Sequence, residues 1–134
     1  MKTLAWDVDD VINHLMRAWF NDLRTNSQRE IKISYDQLLK NPPHELLSMT
    51  LNQYHVSLDE FRLSDRYERL EPNCEILNWF NAYGHYCRHM ALTSVPLAAA
   101  PVSSAWVLKH FGKWIRTFAF VPSRRTDEKI PEYD

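Results

Sequence analysis

The chain predicts an α/β fold built on a parallel sheet, and three observations carry that expectation. Short apolar runs at residues 2–7, 87–92 and 115–121 read as strands. Segments with apolar residues at helical spacing lie between them, and Gly, Pro and capping residues mark the joins. Strands alternating with helices are the pattern of a parallel sheet with crossover connections. A length of 134 residues suits one domain, and six Phe, five Trp and six Tyr supply material for a core.

The elements follow in order. Lys2 to Asp7 form the first strand. Val11, Leu15, Ala18, Trp19 and Leu23 then recur at helical spacing and predict a helix from Asp10 to about Thr25. Residues 27–70 read as a helical insertion. Within it Pro42-Pro43 breaks the chain before a helix over His44–Tyr54. Ser57-Leu58-Asp59-Glu60 matches the capping box, so a second helix is expected from Leu58 to about Tyr67. After Pro72, Asn73 caps a helix with Ile76, Leu77 and Phe80 inside and Gly84 at its stop. A strand over Cys87–Leu92 ends at Thr93-Ser94. Pro101 and Ser103 open a helix that buries Ala105, Val107, Leu108 and Phe111 and closes at Gly112. Ile115–Val121 is the third strand, ended by Pro122. The organisation expected is a core of residues 1–26 and 71–134, interrupted by a cap of residues 27–70.

Composition narrows the function. A net charge of −1 speaks against a general nucleic-acid binder, and no apolar run approaches the length of a membrane span. Carboxylates at position 7 interrupt any signal-peptide pattern, and two cysteines suit a reducing cytoplasm. The sharpest local feature is Asp7-Val8-Asp9, at the end of the first strand. Ligands of open α/β sheets bind outside the carboxyl ends of the strands. Two carboxylates there raise the electrostatic energy, which a cation or a shared proton offsets. Cys74, His85, Cys87 and His89 lack paired zinc-ligand spacing. Arg124 and Arg125 read as a solvated tail, His14 as a helix-surface residue. Trp19, Phe20, Trp79, Phe80, Trp106 and Trp114 read as core, and nothing in the sequence distinguishes packing from base stacking for Trp19 or Phe20.

The apolar strand followed by Asp7-Val8-Asp9, with Met90-Ala91-Leu92-Thr93 as a second strand ending in threonine, resembles the haloacid dehalogenase-like (HAD) hydrolase superfamily. A helical cap between these motifs is common in that family. Thr93-Ser94 with Pro96, and Ala105-Trp106-Val107-Leu108-Lys109-His110-Phe111-Gly112, are similar to the 5′(3′)-deoxyribonucleotidase-like branch. The resemblance implies a three-layer sandwich with a Rossmann-like parallel sheet, and a Mg²⁺-dependent phosphomonoesterase acting through an aspartyl-phosphate. Its substrate would be a small phosphorylated molecule, nucleoside monophosphates included. Asp7 would be the nucleophile and Asp9 the general acid and base. The Asp7 carboxylate and the Asp9 main-chain carbonyl would hold Mg²⁺. Thr93 would bind the phosphate, and Lys129, the lysine after the third strand, would neutralise charge.

Two departures from the family stand out. Asp10 occupies a position where many relatives carry glycine. The family's further acidic motif, after a fourth strand, has no counterpart following Val121, which implies a C-terminally shortened relative. The alternative function is therefore a catalytically weak or inactive binding or structural module. A receiver domain of the response-regulator kind also clusters strand-end carboxylates, but the long helical insertion counts against it. Without a fourth strand, residues 3–7 are expected at a sheet edge, covered by a second copy or by the C-terminal tail.

Overall fold

The computed structural model describes residues 1–123. Lys129, Arg124 and Arg125 lie outside the described residues. Three strands, β1 (Thr3–Trp6), β2 (Arg88–Thr93) and β3 (Ile115–Phe120), form one parallel sheet in the order β1-β2-β3. Thr3 stands opposite Arg88 and Trp6 opposite Ala91, while Thr93 stands opposite Phe120. The carboxyl ends of all three strands therefore open on one side. Alternation along β2 buries His89, Ala91 and Thr93 on one face and leaves Arg88 and Leu92 exposed on the other. The α/β class and the parallel sheet expected from the sequence are both present. Among the described residues β1 is an edge strand, as expected, and Ala5 on it is exposed.

Helix α1 covers Leu15–Asn26, five residues later than the predicted start at Asp10. Two local features hold residues 10–13 out of the helix. Asp10 has φ +65°, a left-handed backbone, and Asn13 forms an antiparallel bridge with Pro72. Leu15, Trp19, Phe20 and Leu23 of α1 enter the core.

The insertion differs most from its sequence reading. His44–Leu47 is a single 3₁₀ turn, and α2 runs over Leu51–Arg62. The working capping box is Thr50 with Gln53, not Ser57 with Glu60. The Thr50 hydroxyl accepts from the Gln53 N–H at 3.1 Å, and the Gln53 amide oxygen accepts from the Thr50 N–H at 2.9 Å. Both tetrads fit the pattern locally. Burial decides, because Tyr54, Leu58 and Phe61 share the inner face of one helix only if it continues through Ser57. Ser57 instead accepts a hydrogen bond from the Trp19 indole N–H at 3.0 Å, joining α2 to α1. The helix stops at Leu63, and Ser64 caps the short α3 (Asp65–Glu68).

The chain returns to the sheet through α4 (Cys74–Tyr83). Its Asn73 cap is as expected, with the side-chain oxygen accepting from the Glu75 N–H at 3.1 Å. Ile76 and Leu77 are only partly buried, whereas Phe80 is wholly so. Gly84 ends α4 with an ordinary right-handed backbone rather than a left-handed one. Its bareness serves packing, since a Cβ there would lie 2.7 Å from the Trp114 ring. Helix α5 (Ala100–Phe111) has Pro101 in its first turn and ends at Gly112. Val107 and Phe111 are buried as expected, but Ala105 and Leu108 are exposed, and Ser103 and Trp106 share the inner face instead. Its Trp106 indole N–H donates to the Leu70 carbonyl at 2.9 Å, fastening the end of the insertion to the core. No helix among the described residues is long and apolar enough to cross a membrane.

Candidate active site

A cleft of about 680 Å³ opens at the carboxyl ends of the strands. Its floor includes Asp7, Asp9 and Asp10 after β1, Thr93 and Ser94 at the end of β2, and Ser123 beyond β3. Its other walls come from the insertion, with Tyr35, Leu38, Lys40, Tyr54, His55 and Arg62. Parallel pairing of β1 with β2 explains why Asp7 and Thr93, far apart in sequence, share this space.

Asp7 is exposed, and one of its carboxylate oxygens accepts the N–H of Val8 at 2.8 Å. Partial desolvation in the cleft pushes its pKa above the ordinary 3.8; the Val8 hydrogen bond opposes the rise and the nearby Asp9 charge adds to it. The folded state therefore binds this proton more tightly than the unfolded chain. The stability linked to it is fully present below about 3.8 and is lost as pH rises through the raised folded value. Asp7→Asn removes that loss and keeps an acceptor for Val8. It should melt slightly above the parent at pH 7, solvent screening keeping the gain small, and together with it near pH 3, as read by thermal circular dichroism. A parent more stable at pH 7 than the variant would refute this.

Asp9 is enclosed. Its Oδ1 accepts from the Tyr67 hydroxyl at 2.9 Å and from the Asn13 side-chain amide at 3.1 Å. Its Oδ2 accepts from Arg62 Nε at 3.2 Å, and each charged side chain of this pair is 11 % exposed. Burial, and then the Asp9 charge, push the Tyr67 phenol up, so Tyr67 stays a neutral donor. Arg62 also donates to Asp59 at 3.3 Å. Asn13 is wholly buried and works in both directions, because its amide oxygen accepts the N–H groups of Asp10 and Leu15 at 3.1 Å each. Asp10 turns its carboxylate onto the Met16 N–H at 2.8 Å, capping α1. The left-handed backbone at Asp10 is one that glycine adopts freely and aspartate tolerates.

Asp7, Asp9 and Thr93, all predicted from the sequence, thus meet in one cleft, while Lys129 falls outside the described residues. Asn13, Arg62 and Tyr67 were not anticipated. Arg62 and Tyr67 lie 53 and 58 positions from Asp9, so no local spacing announces them. Asn13 follows the acidic run by three residues, the local signal that points to it. Trp19 and Phe20 are 1 % and 0 % exposed and do not line the cleft, so neither is available to stack a base. His14 is exposed and also lies off the cleft. Both ring nitrogens of His89 are engaged, Nδ1 by the Trp6 indole N–H at 3.1 Å and Nε2 by the Gly84 carbonyl at 2.7 Å. That arrangement assigns the proton to Nε2. Among the described residues no group of three or more His, Cys, Asp or Glu is placed to hold a metal ion.

Fold and site together define an α/β protein with a strand-end cleft whose floor is acidic and hydroxyl-bearing and whose wall is basic and aromatic. No protein-family model matches the chain, and no curated protein matches it.

Proposed function

We propose that the chain is a HAD-like phosphomonoesterase, its sheet the core of that family's three-layer sandwich and residues 27–70 its cap. The observation that carries the reading is the exit of Asp7 and Thr93 from adjacent parallel strands into one cleft. In this reading a carboxylate oxygen of Asp7 attacks the phosphorus of a small phosphate monoester. The new O–P bond forms as the ester O–P bond breaks, and the departing alkoxide takes its proton from Asp9. Water, deprotonated by Asp9, then attacks the aspartyl-phosphate, releasing orthophosphate and regenerating Asp7. The Thr93 hydroxyl donates to a phosphoryl oxygen as negative charge builds there.

The donor set is compatible with Mg²⁺, which keeps several waters and commonly takes only one or two protein carboxylates. A cation is also what the upward push on Asp7 by burial and by the Asp9 charge would favour. The Asp7 carboxylate and the Asp9 main-chain carbonyl would hold it. Bound there, it would screen charge on the phosphoryl oxygens. The test is phosphate release from an aryl phosphate and from deoxyribonucleoside monophosphates with Mg²⁺, comparing the parent with Asp7→Asn. Equal rates in both proteins, or none in either, would reject the reading in favour of an inactive binding or structural module.

We also propose that a second copy covers the outer edge of β1, whose backbone groups pair with no strand among the described residues. The 16.0 kDa chain should then sediment as a dimer with protected Leu4–Trp6 amides. A monomer with fast-exchanging amides there would exclude it.

A further inference from the structure

We infer that Arg62 is the anion-binding residue of the cleft, its guanidinium exchanging Asp9 for a phosphoryl group of the ligand. The inference rests on the phosphomonoesterase reading for the identity of the ligand, and it names the residue through which the insertion engages that ligand.

The charge pattern sets the problem. Asp7, Asp9, Asp10 and Asp36 all line the cleft, an unfavourable surrounding for a phosphate dianion. Among the described lining residues only Lys40 and Arg62 carry a permanent positive charge. Lys40 pairs with Glu45 at 2.7 Å, and its side chain is 64 % exposed, so solvent screens it. Arg62 is 11 % exposed, where the lower dielectric strengthens its attraction for an anion.

Arg62 is also held in a way that permits exchange. Its contacts with Asp9 and Asp59 measure 3.2 and 3.3 Å, longer than the roughly 2.7–2.9 Å of tight charge-assisted hydrogen bonds. A guanidinium has about five N–H donors, and these two contacts use only two of them. Asp9 would not be orphaned by the exchange, because Tyr67 and Asn13 hold its other oxygen at 2.9 and 3.1 Å. Asp59 keeps the guanidinium anchored to α2 while the Asp9 contact is given up. The insertion and the strand ends are thus joined by a contact that a phosphoryl group can replace.

The test is a calorimetric titration of inorganic phosphate into the full chain at constant ionic strength. The proteins are the parent, Arg62→Gln, Arg62→Lys, Asp9→Asn and the Arg62→Gln/Asp9→Asn double variant, each checked for folding by near-UV circular dichroism. Arg62→Gln should weaken phosphate binding by at least ~10-fold, and Arg62→Lys should recover part of the loss. Asp9→Asn removes the internal competitor and should tighten binding severalfold. That gain should vanish in the Arg62→Gln background, which separates competition for Arg62 from simple relief of repulsion. Should Arg62→Gln fail to fold, Arg62→Lys with and without Asp9→Asn completes the same cycle, a smaller gain than in the parent background being the expected result. Phosphate affinity within twofold of the parent in Arg62→Gln, an equal Asp9→Asn gain in both backgrounds, or no binding by the folded parent would overturn the inference. Turnover assays tell the two readings apart. Catalysis with Arg62-independent phosphate binding defeats this inference alone, and Arg62-dependent binding without turnover defeats the phosphatase reading alone.

Discussion

Replacing Phe80 by alanine should lower the unfolding free energy by about 3–5 kcal/mol, the range for deleting a buried aromatic side chain. Phe80 is wholly buried, and its ring lies 4.8 Å from those of Trp6 and His89, 5.1 Å from Trp114 and 5.4 Å from Trp79 and Phe111. It therefore joins β1, β2, α4, α5 and the approach to β3 in one aromatic cluster. Large rigid rings cannot collapse into the space one of them vacates, so the cavity term adds to the lost transfer energy. Domains of this size unfold with about 5–15 kcal/mol in all, so the variant should be at the edge of folding at 25 °C. Urea unfolding followed by tryptophan fluorescence measures it. A loss under about 1 kcal/mol would mean that the cluster does not hold the sheet to its helices.

Asp7→Asn should release phosphate at least ~1000-fold more slowly than the parent under the proposed mechanism. The carboxamide is nearly isosteric and keeps the Val8 hydrogen bond, but its oxygen carries no charge and is a poor nucleophile toward phosphorus. Binding should suffer less than turnover, because removing a negative charge from a site that takes an anion offsets the weaker hold on Mg²⁺ that the carboxylate would provide. The expected signature is a collapse of kcat with KM unchanged or lower. Thermal stability should meanwhile rise slightly at neutral pH, so low activity cannot be put down to unfolding. A variant with parental kcat would remove Asp7 from the chemistry altogether.

Legibility differed from segment to segment for identifiable reasons. The three strands were readable because each is a short apolar run between breakers, and their ends at Asp7, Thr93 and Pro122 are chemically abrupt. Helices α4 and α5 were readable because Asn73 and Pro101 are strong start signals that nothing nearby contradicts. The insertion misled because two capping boxes stand seven residues apart, and only burial of Tyr54, Leu58 and Phe61 selects the first. The start of α1 misled because helical periodicity continues back to Val11, while the Asn13–Pro72 bridge that interrupts it depends on a residue 59 positions away.

The same division runs through the site. Local hydrophobic patterning and residues adjacent in the chain are enough for an α/β class, a parallel sheet, and the ends of two strands at which Asp7 and Thr93 stand. What Asp7-Val8-Asp9 means as a pair depends on long-range packing. Asp7 is left largely open to the cleft, while Asp9, also on its floor, is held by Arg62, Tyr67 and Asn13. Two identical side chains two residues apart became different chemical groups, since desolvation and hydrogen bonding depend on what the folded chain brings beside each of them.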